Sequence, residues 1–193
     1  MERKNLIPHQ GEAYLFTQFW LPSEATLLME DLLHNVPWKQ DPIKIFGKEV
    51  LQPRLTCWFG DPGIDYSYSG ITMRSETWNE PLLTIKNKIE PVAGVRFTGA
   101  LLNLYRNGQD SMGWHRDNER ELGKNPVIGS VSLGETRRFQ FRNYESKKEL
   151  ISIDLSHGSF LLMRGETQHF WEHRIPKTAI VTQRRINITF RII

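Results

Sequence analysis

His115, Arg116 and Asp117 stand together in the chain, and three more histidines, His157, His169 and His173, follow in its distal part. Two imidazoles and one carboxylate are the protein share of a facial Fe(II) site, which leaves coordination positions open for a co-substrate and dioxygen. In a strand or at its exit, residues two apart point to the same side, so His115 and Asp117 can reach one metal. His-x-Asp tripeptides arise by chance, and the motif needs company to carry weight. Further on, Arg185-Ile186-Asn187-Ile188-Thr189-Phe190-Arg191 offers two guanidiniums suited to a dicarboxylate. If these parts converge, the chemistry is activation of O2 by iron and a 2-oxo acid.

A second imidazole must come from the distal histidines. His157 precedes Gly158 in a turn pattern, where a structural hydrogen bond is the expected use. His169 and His173 are four apart, a spacing that faces one way on a helix or a strand, so spacing does not choose between them. Position relative to the arginine segment favours His173. His9 and His34, in the amino-terminal region, are expected at the surface.

The elements that must hold these groups read as follows. Pro22 to Asn35 repeats Ala25, Leu28, Met29, Leu32 and Leu33 at helical spacing, with Ser23 as the expected N-cap. A second helix is expected from Pro81 to Glu90, with Asn79 or Glu80 near its start and Leu82, Ile85 and Ile89 on one side. After Pro91 the texture changes to short strands: Phe97 to Tyr105, Val127 to Leu133, Arg138 to Arg142, Leu150 to Leu155, Ser159 to Arg164 and Arg185 to Ile192. This pattern predicts a mostly β, α+β chain: a jelly roll with helices covering one outer sheet face. Alternation in the last strand puts Arg185, Asn187, Thr189 and Arg191 on one face and Ile186, Ile188, Phe190 and Ile192 on the other. An edge strand with one wet face would give the same pattern, but the apolar set is large enough to need core on its side, and two arginines on a face inside a small jelly roll would want an anionic partner. In the strand ending at Tyr105, Leu101, Asn103 and Tyr105 share a face and offer an amide and a phenol to the same ligand.

At 193 residues the chain can bury a substantial core as a single domain, 1–193, read as an amino-terminal part, 1–95, and a jelly-roll core, 96–193. Cys57 is the sole cysteine, which excludes an internal disulfide and a cysteine-rich zinc site and suits a reducing compartment. The start, Met1-Glu2-Arg3-Lys4-Asn5, leads into no apolar segment, and no run is long enough to span a bilayer. A cytoplasmic location, nuclear in a eukaryote, follows as an expectation, with no membrane partner and a monomeric state. The net charge of +3 and pI near 9.0 permit a polyanionic partner without demanding one. Basic residues gather as Arg137, Arg138, Arg142, Lys147 and Lys148, and as Lys44, Lys48 and Arg54.

Leu102-Asn103-Leu104-Tyr105, Gly113-Trp114-His115-Arg116-Asp117-Asn118-Glu119-Arg120-Glu121, the run from His157 to His173, and Arg185-x-Asn187-x-Thr189-Phe190-Arg191 occur in an order and spacing that resemble the AlkB-type Fe(II)/2-oxoglutarate dioxygenases. The likeness runs from about Ile45 to the carboxyl terminus and is strongest to the duplex-DNA alkylation-repair branch. It implies iron held by His115, Asp117 and His173, and 2-oxoglutarate held by Asn103, Tyr105, Arg185, Asn187 and Arg191, with Arg185 on the distal carboxylate. It implies oxidative demethylation of 1-methyladenine and 3-methylcytosine in single- or double-stranded DNA, or in RNA, with O2 as oxidant and release of formaldehyde, succinate and CO2. Glu119 matches the position that discriminates cationic bases.

The segment from Gly60 to Gly70, which includes Tyr66, Tyr68 and Ser69, resembles the family's nucleotide-recognition lid. The likeness implies that Tyr68 stacks on a flipped base opposite His115, and that Tyr66 bonds to the base edge. Ile45-Phe46-Gly47 matches a hydrophobic wedge for the gap in the base stack, with Phe46 at its tip. Arg54 and the group of Arg137, Arg138, Arg142, Lys147 and Lys148 would meet phosphates. The short stretch from Arg142 to Glu149 departs from the longer basic insertion of the duplex-specific branch and leaves strand preference open. The rival expectations are the same chemistry on methylated RNA or protein, and a damage-binding module without turnover.

Overall fold

The computed structural model describes residues 4–45, 48–68 and 71–193. Strand β1 (Glu12–Phe16) precedes helix α1 (Pro22–Asn35). The hairpin β2 (Pro42–Ile45) and β3 (Lys48–Leu51) leads to β4 (Leu55–Gly60). A second hairpin, β5 (Tyr66–Tyr68) and β6 (Ile71–Met73), and the short β7 (Glu76–Thr77) come before helix α2 (Glu80–Ala93). Eight strands follow: β8 (Gly99–Tyr105), β9 (Met112–His115), β10 (Ile128–Gly134), β11 (Arg137–Asn143), β12 (Leu150–Leu155), β13 (Ser159–Arg164), β14 (Trp171–Ile175) and β15 (Arg185–Arg191).

Two sheets face each other as a jelly roll. The larger has the order β1-β13-β10-β15-β8-β4-β7 and the smaller β12-β11-β14-β9. Alternation decides what each face of the larger sheet meets. Leu102, Leu104, Val131, Leu133, Phe160, Leu162, Ile186, Ile188 and Phe190 point outward into a core closed by Ala25 and Leu32 of α1 and by Leu82, Ile85 and Ile89 of α2. The expected helical cover on one outer face is therefore present. Residues of opposite parity, among them Tyr105, Ile128, Leu161 and Met163, point inward and meet Phe139, Phe141, Trp171 and Ile175 of the smaller sheet. Since β15 lies between β8 and β10, every one of its residues is buried.

The first helix keeps its expected bounds but not its expected cap, and the second differs in its bounds. α1 starts at Pro22 with Leu21 as N-cap, and the Leu21 N–H donates to Glu24 Oε2 at 3.1 Å, so Ser23 is not the cap. α2 runs through Pro91 to Ala93 and ends at Gly94 in the left-handed conformation, φ 71°. Pro91 sits in the last turn on the exposed side, where the carbonyl that its missing N–H leaves free is open to water.

Close approach requires glycine at position 99. A Cβ there would fall 2.2 Å from the Trp58 ring, which lies over the β8 backbone and stacks on Tyr66 at 4.7 Å between centroids. Among the described residues no helix is long and apolar enough to cross a membrane.

Candidate active site

The cleft between the sheets is lined by the inward faces of β8, β15 and β10 on one side and of β9, β11 and β14 on the other. β9 and β14 pair so that His115 lies directly opposite His173, with ring centroids 4.2 Å apart. Asp117 follows β9 and turns back toward the pair. Ligand atoms of His115, Asp117 and His173 all lie within 4.8 Å of one another, the spread of donors around one ion. Of the distal histidines, His173 is the one brought into this group. His157 accepts the Gly134 N–H on Nδ1 at 2.8 Å, the structural bond expected of it. His169 lies in the helical turn Thr167–Phe170 and contributes its carbonyl to Arg116 at 2.9 Å.

Protonation favours metal binding at the triad. Burial pushes the His173 imidazole far below its usual range, to about 3, and the neighbouring His115 adds to the effect. Burial lowers His115 as well. Burial alone would raise Asp117, yet the charge of Arg191, helped by the two imidazoles, holds this carboxyl at about 2. Two neutral imidazoles beside one carboxylate are the deprotonated forms that a cation requires. His115 Nδ1 lies 2.9 Å from Gly113 O, which puts the proton on Nδ1 and leaves the Nε2 lone pair free. Phe139 stacks on the His173 ring at 5.3 Å and sets its plane.

The second half of the site is cationic. Arg185 is 1% exposed, donates Nη2 to Ser132 Oγ at 2.9 Å and lies 5.2 Å from the Tyr105 ring centre. Its Nε and Nη1 have no protein partner, and burial lowers its pKa to about 10. Arg191 donates Nη2 to Asp117 Oδ1 at 2.7 Å and likewise leaves Nε and Nη1 without partners. Buried guanidinium N–H groups left unbonded are costly and point to an anionic ligand. A dicarboxylate placed along β15 would satisfy both ends.

Several expected side chains stand differently from the sequence reading. Asn187 lines the cleft, but both its N–H groups are taken, by Ser130 Oγ at 2.8 Å and Val131 O at 3.1 Å, and its Oδ1 accepts from Thr189. It fixes β15 on β10 and has no donor left for a ligand. Arg54, expected at phosphates, is 3% exposed inside the cleft and donates Nε to Asn103 Oδ1 at 2.7 Å. Arg137, also expected at phosphates, is buried and donates to the carbonyls of Asn107, Asp110 and Pro176. Arg142 and Lys147 share Glu172 Oε1, and Arg138 pairs with Asp154. On β11 the basic residues alternate: Arg137 faces inward and finds carbonyls, while Arg138 and Arg142, on the other face, pair with carboxylates.

At the cleft mouth the Tyr66 hydroxyl donates to Glu119 Oε1 at 3.0 Å, and the Tyr66 ring lies under Arg191 at 4.9 Å. Tyr66 is thus a wall of the cleft, with its hydroxyl turned to Glu119. Glu119 Oε2 is left without a partner. Phe46 and Ser69 lie outside the described residues, as do the side chains of Tyr68, Lys44 and Lys48.

Sequence reasoning missed Gln168, whose Oε1 accepts the Asp117 N–H at 2.9 Å, and Ser130 and Ser132, which anchor Asn187 and Arg185. The serines were findable, because Ser130-Val131-Ser132 alternates on a strand beside the arginine strand. Nothing local in the sequence marks Gln168.

A family model described as the 2OG-Fe(II) oxygenase superfamily matches residues 12–191. The chain is 40% identical over 188 residues to the human alpha-ketoglutarate-dependent dioxygenase alkB homolog 3, covering 93% of this chain and 65% of that protein. It is 37% identical over 192 residues to the mouse DNA oxidative demethylase ALKBH2, covering 94% of this chain and 80% of that protein. The chain therefore spans just under two thirds of the length of the human alkB homolog 3, 65%. A solved structure of OsALKBH1 superposes with a TM-score of 0.69 at 15% identity, covering 97% of this chain and 99% of that one, which shows a shared fold.

Proposed function

Since the chain belongs to the 2OG-Fe(II) oxygenase superfamily, and within it to the AlkB-type oxygenases, we propose that it is a DNA-repair dioxygenase that removes methyl groups from the ring nitrogens of alkylated bases. The observation that carries the reading is a His-Asp-His triad, with Asp117 and His173 buried, next to two guanidiniums with unbonded N–H groups, beneath a mouth bearing an acidic side chain. The demethylase name of the ALKBH2 relatives supports a DNA substrate. The proposed substrates are 1-methyladenine and 3-methylcytosine in DNA.

His115, Asp117 and His173 would hold Fe(II). Together with 2-oxoglutarate and O2, the metal supplies oxidation of the N-methyl carbon, so that the methyl leaves as formaldehyde while the co-substrate becomes succinate and CO2. The chain's own contribution is position and field. Arg185, steadied by Ser132, would take the distal carboxylate, and Arg191, bonded to Asp117, would hold the nearer one. Tyr105 presents its ring and phenol to the same ligand. Phe139 and Met163 line the cleft as apolar surface against water. At the mouth Glu119, oriented by Tyr66, favours a base that carries positive charge. Tyr68, Ser69 and Phe46 complete the proposal as lid and wedge, acting on a base turned out of its stack. A monomer in the cytoplasm, or in the nucleus of a eukaryote, belongs to the same proposal.

The test is formaldehyde release from oligonucleotides bearing 1-methyladenine or 3-methylcytosine, with Fe(II), 2-oxoglutarate and O2. The lesion is offered in single-stranded DNA, duplex DNA and RNA to rank the three. Absence of release from all of them, while succinate still forms with another substrate, would remove the assignment.

A further inference from the structure

Arg54 follows the β2–β3 hairpin by way of Gln52 and Pro53 and stands immediately before β4. It is 3% exposed and lines the same cleft as His115 and Asp117. Among the described residues no carboxylate forms an ion pair with it. A buried guanidinium without a counter-ion is costly, and a cleft that contains one suits an anion. Its Nε–H donates to Asn103 Oδ1 at 2.7 Å, a charge-assisted bond.

A side-chain amide has one acceptor oxygen and one NH2 group, and it can turn over to exchange them. With Oδ1 held by a cation, the amide of Asn103 is fixed in one sense, and only Nδ2 is free to meet a ligand. Asn103 lies on the inward face of β8, opposite Asn187 of β15 in register. Whatever Asn103 touches must therefore be an acceptor, such as a carboxylate or keto oxygen.

The geometry points to Arg54 as a positioning residue for the co-substrate: it locks the Asn103 amide so that Nδ2 donates to an oxygen of the bound 2-oxo acid. This rests on the proposed reading of the cleft as a 2-oxo-acid pocket. It moves Arg54 from the phosphate contact expected of a basic residue to a support for the small ligand.

The test uses the full chain loaded with Mn(II) and calorimetric titration with N-oxalylglycine, a non-reactive 2-oxo-acid analogue. The KM for 2-oxoglutarate is measured in parallel. Arg54→Met is expected to weaken analogue binding roughly tenfold and to raise KM by a similar factor, with a smaller change in kcat. In an Asn103→Ala background the same change should cost little more, under about threefold, because the partner through which Arg54 acts is gone. Arg54→Lys, which keeps the charge and lacks the Nε donor, should lose most of the same affinity. If Arg54→Met does not fold, Arg54→Lys in both backgrounds decides the matter. A folded Arg54→Met or Arg54→Lys that binds the analogue as the wild type does, or an undiminished cost in the Asn103→Ala background, overturns the role. If the wild-type protein itself fails to bind N-oxalylglycine, the pocket assignment falls first and the role of Arg54 falls with it.

Discussion

Arg191 Nη2 lies 2.7 Å from Asp117 Oδ1, and both side chains are buried. One guanidinium thereby joins the carboxylate of the triad to the cationic end of the cleft, while two of its nitrogens are buried without a protein partner. The two halves of the site are one electrostatic unit.

Arg191→Met should leave Asp117 as a buried charge without its strongest partner. The metal-free protein is expected to lose about 3–5 kcal/mol of stability, read from urea unfolding. A divalent cation at the triad would replace part of the missing charge. Saturating Mn(II) should therefore raise the Tm of the variant by more than it raises that of the wild type, and an equal rise in both would contradict the coupling.

Gln168→Leu removes the acceptor of the Asp117 N–H while leaving all three proposed ligands in place. Support of this kind commonly accounts for about ten- to a hundredfold in metal affinity or activity. A Co(II) or Mn(II) titration of the variant should show a loss in that range, and unchanged affinity would mean that the loop holds Asp117 without the glutamine.

Glu119→Gln keeps the shape of the cleft mouth and removes its charge. KM for an oligonucleotide carrying a cationic lesion should rise by roughly tenfold or more, on the scale of a hydrogen bond to a charged group. A neutral lesion should be far less affected. Tyr66→Phe, which loses the 3.0 Å bond that orients Glu119, should give a weaker version of the same pattern. Equal losses on both lesion types would assign the two residues to the fold instead.

Glu172 supplies the acid-sensitive element of the smaller sheet. Burial alone would raise its carboxyl, but hydrogen bonds from Lys147 and Arg142 prevail and hold it below the ordinary value of 4.5. A carboxyl with a lowered folded-state pKa stabilises fully above the unfolded value, and that contribution disappears as pH falls through the folded value. The wild type should therefore exceed Glu172→Gln in urea midpoint at pH 7, and the gap should close below about pH 4.5. A gap that stays constant between pH 7 and pH 3 would exclude this origin.

The larger sheet was legible because β10 and β15 carry an apolar set of one parity, β8 and β13 are apolar runs bounded by turn residues, and the helices show their own period. The two strands that bring the histidines together were not. In β9 the apolar Met112 and Trp114 share the parity opposite to His115, and in β14 the alternation of Trp171, His173 and Ile175 against Glu172 and Arg174 spans only five residues, so neither strand stands out by its hydrophobic pattern. Arg54 and Arg137 misled for a related reason. Charged residues are expected in water, and only the fold reveals that amide and carbonyl oxygens are waiting for them.

β15 lies between β8 and β10 yet follows both of them in the chain. During synthesis every other strand of the larger sheet therefore exists before the one that joins its halves, and β8 and β10 present open edges until that strand arrives. Such edges invite pairing with other chains, and closure depends on contacts distant in sequence, a combination that slows folding. The segment that carries the arginines also completes the sheet, so a nascent chain that has not yet inserted it has neither a closed fold nor a binding site.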